Sequence, residues 1–71
     1  MKLISIVIPC YNEEDNIFEL YKKIKDIFTK LTHYQYECIF IDNNSKDKTV
    51  NILKQMALRD NNIKIIINAR N

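Results

Sequence analysis

Two polar segments of the sequence carry side chains that could recognise a ligand. Residues 9–14 hold an aromatic ring, Tyr11, together with two carboxylates, and residues 42–46 begin with Asp42 and continue with two amides. A uracil or guanine base needs a flat apolar surface and an acceptor for its ring N–H, and a tyrosine and an aspartate supply these two features. The two segments therefore predict a site for a base, provided that the fold brings them together.

The segments can meet only if each follows a strand of the same sheet. Residues 3–8 are an apolar run rich in β-branched side chains and bounded by Pro9, and residues 36–41 have a similar character. Such runs are too short for helices and are typical of parallel strands buried on both faces. Because parallel strands present their carboxyl ends along one edge of the sheet, Asp42 and residues 9–14 would face each other there.

Two helices are predicted between and after these strands. Residues 15–31 carry apolar side chains at helical spacing, which form one stripe: Ile17, Leu20, Tyr21, Ile24, Ile27, Phe28 and Leu31. Asn12 is expected to cap this helix at its N-terminus. A second helix, capped by Ser45 or Asp47, is expected to reach about Arg59.

A third strand completes a β-α-β-α-β order. Residues 63–67 form another apolar run, and the charge of Lys64 within it predicts an exposed edge strand. Helices of this length are typical crossovers between parallel strands. The sequence therefore predicts an α/β fold, a βαβαβ half of a doubly wound parallel sheet with spatial order 3-2-1. The open edge of residues 3–8 would be exposed or covered by another copy of the chain, so a homo-oligomer is one expectation.

The composition limits the functions that this chain can have. Its 71 residues allow a single partial domain, 1–71, of marginal stability, and a net charge of +2 predicts no nucleic-acid partner. The chain has no glycine, which excludes phosphate-binding loops of the P-loop or dinucleotide type. Cys10, Cys38 and the single histidine, His33, give no metal framework, so reduced thiols in a cytoplasmic protein are expected. The apolar N-terminus is broken by Pro9 and predicts neither a signal peptide nor a membrane span.

Three motifs of the chain resemble those of a known enzyme family. Residues 7–14 read VIPCYNEE, residues 41–45 read IDNNS, and residues 68–71 read NARN. Together they resemble the N-terminal part of inverting family-2 glycosyltransferases of the GT-A fold, particularly the polyprenyl-phosphate glycosyl- and mannosyltransferases. In those enzymes the first strand ends in V-I-P-x-Y-N-E-E and the second in V-D-D-G-S, and an S-R-N stretch follows the third.

The resemblance implies binding of a nucleotide-sugar donor, UDP- or GDP-sugar, and transfer of its sugar to an acceptor such as a polyprenyl phosphate. The residues carried over as nucleotide-binding are Pro9, Tyr11, Glu13, Asp42, Asn43 and Arg70. Asp42 would take the base, and Arg70 stands in the place of the family's arginine. Asn43 replaces the usual second aspartate, which removes a charge near the ribose, and Asn44 replaces the turn glycine. Asparagine tolerates the left-handed conformation, so the turn can survive.

The resemblance also implies parts that these residues do not supply. A divalent cation, Mg or Mn, is expected in the full-length enzyme to neutralise the leaving diphosphate. Its Asp-x-Asp ligands, the catalytic base and the acceptor site lie in the family beyond the equivalent of Asn71. The 71 residues alone are therefore expected to bind nucleotide without catalysing transfer. Membrane association is expected only through the lipid acceptor or a C-terminal part.

Two other hypotheses are compatible with the residues. One is a flavodoxin- or receiver-like module in which Asp42 accepts phosphate or a metal. The other is a half-domain that folds by self-association through its open edge. A separate alternative for Asp42 alone is that it serves only as a turn or helix-cap carboxylate.

Overall fold

The computed structural model describes residues 2–69. Five elements follow one another along the chain: β1 (Lys2–Cys10), α1 (Ile17–Thr29), β2 (Tyr34–Asn43), α2 (Thr49–Arg59) and β3 (Ile63–Asn68). The strands are parallel and lie in the order β1-β2-β3. This architecture confirms the predicted α/β fold and the predicted order of the three strands.

The register of the sheet brings the carboxyl ends of the strands to one edge. Cys10 at the end of β1 is the partner of Asp42, and Asn43 at the end of β2 is the partner of Asn68. The loops that follow β1 and β2 therefore leave the sheet side by side, as the order of elements predicts.

Both helices cover the same face of the sheet. The core consists of buried side chains from the two helices and from one face of the strands: Cys10, Ile17, Tyr21, Cys38, Phe40, Leu53, Met56 and Ile63. Phe40 and Leu53 have no exposed surface. The two free cysteines, Cys10 and Cys38, are core residues.

The opposite face of the sheet is open in the described residues, so the prediction that β1 is buried on both faces is wrong. Leu3 and Val7 on this face are 58% and 56% exposed. Two successive crossovers of the same hand place α1 and α2 on the same side of the sheet. An apolar run in the sequence does not reveal whether one of its faces lacks a covering layer. The prediction from Lys64 is confirmed, since β3 is an edge strand and Lys64 is exposed.

The first helix is shorter than predicted at both ends. It begins at Ile17, after a turn in which the Glu13 carbonyl accepts hydrogen bonds from the amides of Asn16 and Ile17, at 2.9 and 2.8 Å. Asn12 is not its cap, because Asn12 adopts a left-handed backbone with φ of 51°. Neither helix within residues 2–69 is long and apolar enough to cross a bilayer.

The start of α2 decides between the two predicted caps. The carboxylate of Asp47 accepts a hydrogen bond from the amide of Thr49 at 2.9 Å, so Asp47 satisfies the first amide of the helix from just outside it. Ser45 does not cap α2, because its amide and its hydroxyl are both directed to Asp42. The residue at the N-cap position itself, Lys48, makes no side-chain capping bond.

Candidate functional site

The predicted site residues within residues 2–69 gather at the carboxyl edge of the sheet. Pro9 is exposed at the end of β1, Tyr11 is 49% exposed, and Glu13 is half-buried in the loop before α1. Asp42 and Asn43 end the neighbouring strand β2. Arg70 lies outside the described residues. The fold thus places an accessible aromatic ring beside the end of β2, and the binding roles of these residues stay predictions.

Asp42 is one of two completely buried polar residues among those described at this edge, and the other is Thr49. The Asp42 side chain points to the helix-covered face and has no exposed surface. One carboxylate oxygen accepts the Ser45 amide at 3.0 Å, and the other accepts the Ser45 hydroxyl at 2.5 Å. In this conformation the carboxylate organises its own turn, and a base could reach it only if the residues that cover it moved.

The two asparagines after Asp42 have different roles. The side-chain oxygen of Asn43 accepts a hydrogen bond from the side-chain amide of Asn68 at 3.1 Å, which ties the end of β2 to the end of β3. Asn44 has φ of 62°, in the left-handed region. Asparagine adopts this conformation more readily than other residues that have a Cβ. The prediction that Asn44 preserves a turn normally made by glycine is confirmed.

Asn12 joins the two loops, a role that the sequence reasoning missed. Its amide donates to the hydroxyl of Ser45 at 2.9 Å, and its side-chain oxygen accepts the amide of Lys46 at 2.8 Å. The Ser45 hydroxyl in turn donates to Asp42, so a continuous chain of hydrogen bonds runs from the buried carboxylate to the loop that carries Tyr11. Because an asparagine before two acidic residues is also the usual pattern of a helix cap, the sequence predicted a capping role for Asn12 instead.

A second pair of missed residues holds the same loop from the start of α2. The buried hydroxyl of Thr49 accepts the amide of Glu13 at 2.8 Å, and the carboxylate of Asp47 accepts the amide of Glu14 at 3.2 Å. Thr49 also donates its own hydroxyl to Asp47. The only signal in the sequence is the Asp-x-Thr spacing, since an aspartate can accept the amide two residues later in a local turn.

The charge of Asp47 is stabilised by these contacts. Desolvation acts to raise the pKa of the Asp47 carboxyl, but hydrogen bonds from the Thr49 hydroxyl, the Thr49 amide and the Glu14 amide outweigh it and hold the pKa below its usual value. Asp47 is therefore an ionised acceptor at neutral pH, and its hydrogen bonds from Glu14 and Thr49 are charge-assisted.

Cys10 lies under the same edge but is not suited to nucleophilic chemistry. Burial, with smaller contributions from the charges of Asp42 and Glu13, raises the pKa of its thiol to about 11. Its sulfur lies 3.6 Å from the carbonyl oxygen of Ile8, in hydrogen-bonding geometry. Since the thiolate is the reactive form of cysteine, the neutral thiol of Cys10 acts as a packed core residue.

The carboxylates at this edge do not form a metal site. Within residues 2–69, no three histidine, cysteine, aspartate or glutamate side chains lie close enough together to hold an ion. The carboxylates of Asp42 and Asp47 already accept hydrogen bonds from the chain itself. The described residues therefore do not fit the divalent cation that the resemblance implies.

Comparison with known proteins agrees with this architecture. The family model described as glycosyl transferase family 2 matches residues 5–71. An uncharacterised glycosyltransferase of Bacillus subtilis, YkcC, is 42% identical over 67 residues, which are 94% of this chain and 20% of that protein. The putative glycosyltransferase CsbB of the same organism is 39% identical over 69 residues, 97% of this chain and 21% of that protein. The bactoprenol glucosyl transferase of Shigella phage SfV is 40% identical over 57 residues, 80% of this chain and 18% of that protein.

This chain spans about a fifth of the length of the curated relatives that it matches. The matched region nevertheless includes β1 from Ser5 onward, the other two strands, both helices and both loops at the carboxyl edge of the sheet. The chain belongs to glycosyl transferase family 2.

Proposed function

We propose that the chain forms the nucleotide-binding part of a glycosyltransferase that moves a sugar from a UDP- or GDP-sugar to an acceptor such as a polyprenyl phosphate. The observation that carries this proposal is the pair of cross-linked loops at the carboxyl edge of the sheet, in a chain of family 2. Ligands of open α/β sheets bind at this edge. The relative named as a bactoprenol glucosyl transferase supports a lipid-linked acceptor. The same family membership gives no support to a flavodoxin- or receiver-like module.

The nucleotide would lie across the ends of β1 and β2. The exposed ring of Tyr11 offers a surface on which a base can stack, and Pro9 and Glu13 flank that ring in the chain. Asp42 would accept the ring N–H of the base after a small opening of the turn that covers it. Asn43 would lie beside the ribose as a neutral amide, and Arg70 would also contact the nucleotide.

Transfer needs groups beyond those described above. A divalent cation, Mg or Mn, would neutralise the leaving diphosphate when bound. Because the described carboxylates do not fit such an ion, its ligands are proposed to lie outside residues 2–69. We therefore expect the 71 residues to bind nucleotide but not to transfer sugar. The proposed location of the enzyme is the cytoplasm, on the cytoplasmic face of a membrane where the acceptor is a lipid.

A titration of the 71-residue chain with UDP, GDP and UDP-glucose, followed by amide NMR, tests nucleotide binding. The amide signals of Tyr11, Asn43 and Ala69 should shift at nucleotide concentrations up to the millimolar range. Whichever of UDP and GDP binds more tightly identifies the preferred base. Stacking of a base on an aromatic ring contributes about 1–3 kcal/mol, so Tyr11→Ala should weaken binding by about tenfold or more.

Tyr34→Ala is the matched control for this titration. Tyr34 is 42% exposed, close to the value for Tyr11, but it begins β2 at the opposite edge of the sheet. The Tyr34→Ala variant should bind nucleotide as tightly as the wild type. The proposal fails if no nucleotide shifts the three amides, or if the two alanine variants weaken binding equally.

Self-association through the edge of β1 is proposed as a property of the 71-residue chain. This edge pairs with no strand within residues 2–69. Leu20 lines a cleft of about 180 Å³ beside Ile8 and Pro9 of β1, and Ile27, two turns further along α1, is 55% exposed. An apolar helix flank next to an open strand edge favours pairing with another copy. Sedimentation velocity that shows only a monomer at high protein concentration would contradict this proposal.

A further inference from the structure

Four hydrogen bonds cross between the loops that follow β1 and β2. We use the name loop latch for the four residues whose side chains make them: Asn12, Ser45, Asp47 and Thr49. Three of these bonds hold consecutive backbone amides, those of Asn12, Glu13 and Glu14. The backbone directly after Tyr11 is therefore held by side chains from a different part of the chain.

This inference rests on the proposed function. We propose that Thr49 and Asp47 are positioning residues for nucleotide binding. They hold the backbone of Glu13 and Glu14 and so position the neighbouring Tyr11 ring. Neither side chain needs to touch the ligand, and Thr49 cannot do so here because it has no exposed surface. Tyr11 is held on one side by β1, which ends at Cys10, and on the other by the latched amides. Because the backbone next to the ring is already held in place, a base can bind with a smaller loss of conformational entropy.

The chemistry of this position requires a hydroxyl group. The Thr49 oxygen accepts the amide of Glu13 and at the same time donates its hydrogen to the carboxylate of Asp47. Valine has nearly the same shape as threonine but can neither accept nor donate, whereas serine retains both functions. Thr49→Val should therefore release the Glu13 amide, and Thr49→Ser should keep it.

Tyr21→Phe provides a control that loses a hydroxyl hydrogen bond elsewhere in the fold. Tyr21 donates to the carboxylate of Asp60 at 2.6 Å, at the end of α2 that is remote from the two loops. Tyr21→Phe and Thr49→Val should both lower stability, but only Thr49→Val should disturb the latch. A purely structural role of Thr49 predicts the same effect on nucleotide binding from both variants.

The experiment measures the dissociation constants of UDP and GDP by titration under conditions in which every variant is folded. We expect Thr49→Val to raise the dissociation constant of the preferred nucleotide by about tenfold. In Thr49→Ser the constant should stay within about threefold of the wild-type value, and in Tyr21→Phe within about twofold. If Thr49→Val does not fold, Asp47→Asn replaces it. The carboxylate uses one oxygen for Glu14 and the other for Thr49, and an amide has a single acceptor oxygen, so one of these two contacts is lost.

Amide hydrogen exchange without nucleotide completes the test. In Thr49→Val the amides of Asn12, Glu13 and Glu14 should exchange about tenfold faster, and in Tyr21→Phe they should not. If Thr49→Val leaves the exchange rates of these amides unchanged, or speeds exchange without changing the nucleotide affinity, the positioning role alone is overturned. A wild-type chain that binds neither UDP nor GDP overturns the proposed function together with this inference.

Discussion

Removal of the Asp42 side chain is expected to cost this fold a large part of its stability. The carboxylate accepts the amide and the hydroxyl of Ser45, and it is completely buried. A hydrogen bond to a charged group contributes about 1.5–3 kcal/mol, so the two together correspond to about 3–6 kcal/mol. Ser45 is only half-buried, so water can satisfy part of what Asp42→Ala leaves unpaired, which places the expected loss near about 3 kcal/mol. A single core of this length rarely supplies more than about 3–5 kcal/mol, so this loss would remove most of the stability of the chain.

Urea denaturation followed by circular dichroism measures this loss directly. Asp42→Asn retains one acceptor oxygen and should lose less, about 1–2 kcal/mol. Asp26→Ala is the control, because Asp26 pairs with Lys30 at 3.6 Å on the surface and both side chains are more than 70% exposed. It should change the free energy of unfolding by less than about 0.5 kcal/mol. The reasoning is refuted if Asp42→Ala stays within about 1 kcal/mol of the wild type, or if Asp26→Ala costs as much.

Two further substitutions test the backbone and the core of the same edge. Asn44→Ala should lower the free energy of unfolding by about 1 kcal/mol, because alanine tolerates the left-handed conformation at φ of 62° less well than asparagine does. Asn44→Gly should be close to neutral, and equal urea midpoints for the two variants would contradict this account. The fold raises the pKa of the Cys10 thiol from its ordinary value of 9.0 to about 11, because it disfavours the thiolate. The stability that the buried neutral thiol contributes is therefore complete below pH 9, and it is lost as the pH rises towards 11, because the thiol ionises first in the unfolded chain. The free energy of unfolding should fall by about 2–3 kcal/mol for this reason, and this fall should be absent from Cys10→Ala. If the free energies of unfolding of the two proteins change equally between pH 8 and pH 11, this prediction is wrong.

The elements of the fold were predictable because their signals are local. Pro9 ends an apolar run, and the stripe from Ile17 to Phe28 repeats with the helical period, so strands and helices fall in the right order. The burial of β1 was not predictable in the same way, because it depends on which face the helices cover. Val7 and Ile6 are equally apolar neighbours, yet Val7 is 56% exposed and Ile6 packs against the core.

The site was predictable in location but not in its internal contacts. The strand ends at Asp42 and the ring at Tyr11 identify the edge, and the register of the sheet brings the corresponding loops together. The hydrogen bonds between Asn12 and Lys46 and between Glu13 and Thr49 join residues more than 30 positions apart. No local pattern distinguishes an asparagine that caps its own helix from one whose side chain binds another loop.

The two left-handed asparagines show why one position of these loops can be glycine and the other cannot. In a chain without glycine, Asn12 and Asn44 have φ of 51° and 62°. Asn44 forms no side-chain hydrogen bond with another residue in the described part of the chain, so its contribution is the conformation alone, which glycine would also provide. Asn12 adopts the same conformation but also accepts the amide of Lys46, and glycine has no group that could do this. The family pattern that the sequence resembles has this distinction, with glycine at the position of Asn44 and asparagine at that of Asn12. The side chain of Asn12 therefore belongs to the mechanism by which the two loops are held together, whereas Asn44 needs only to turn the chain.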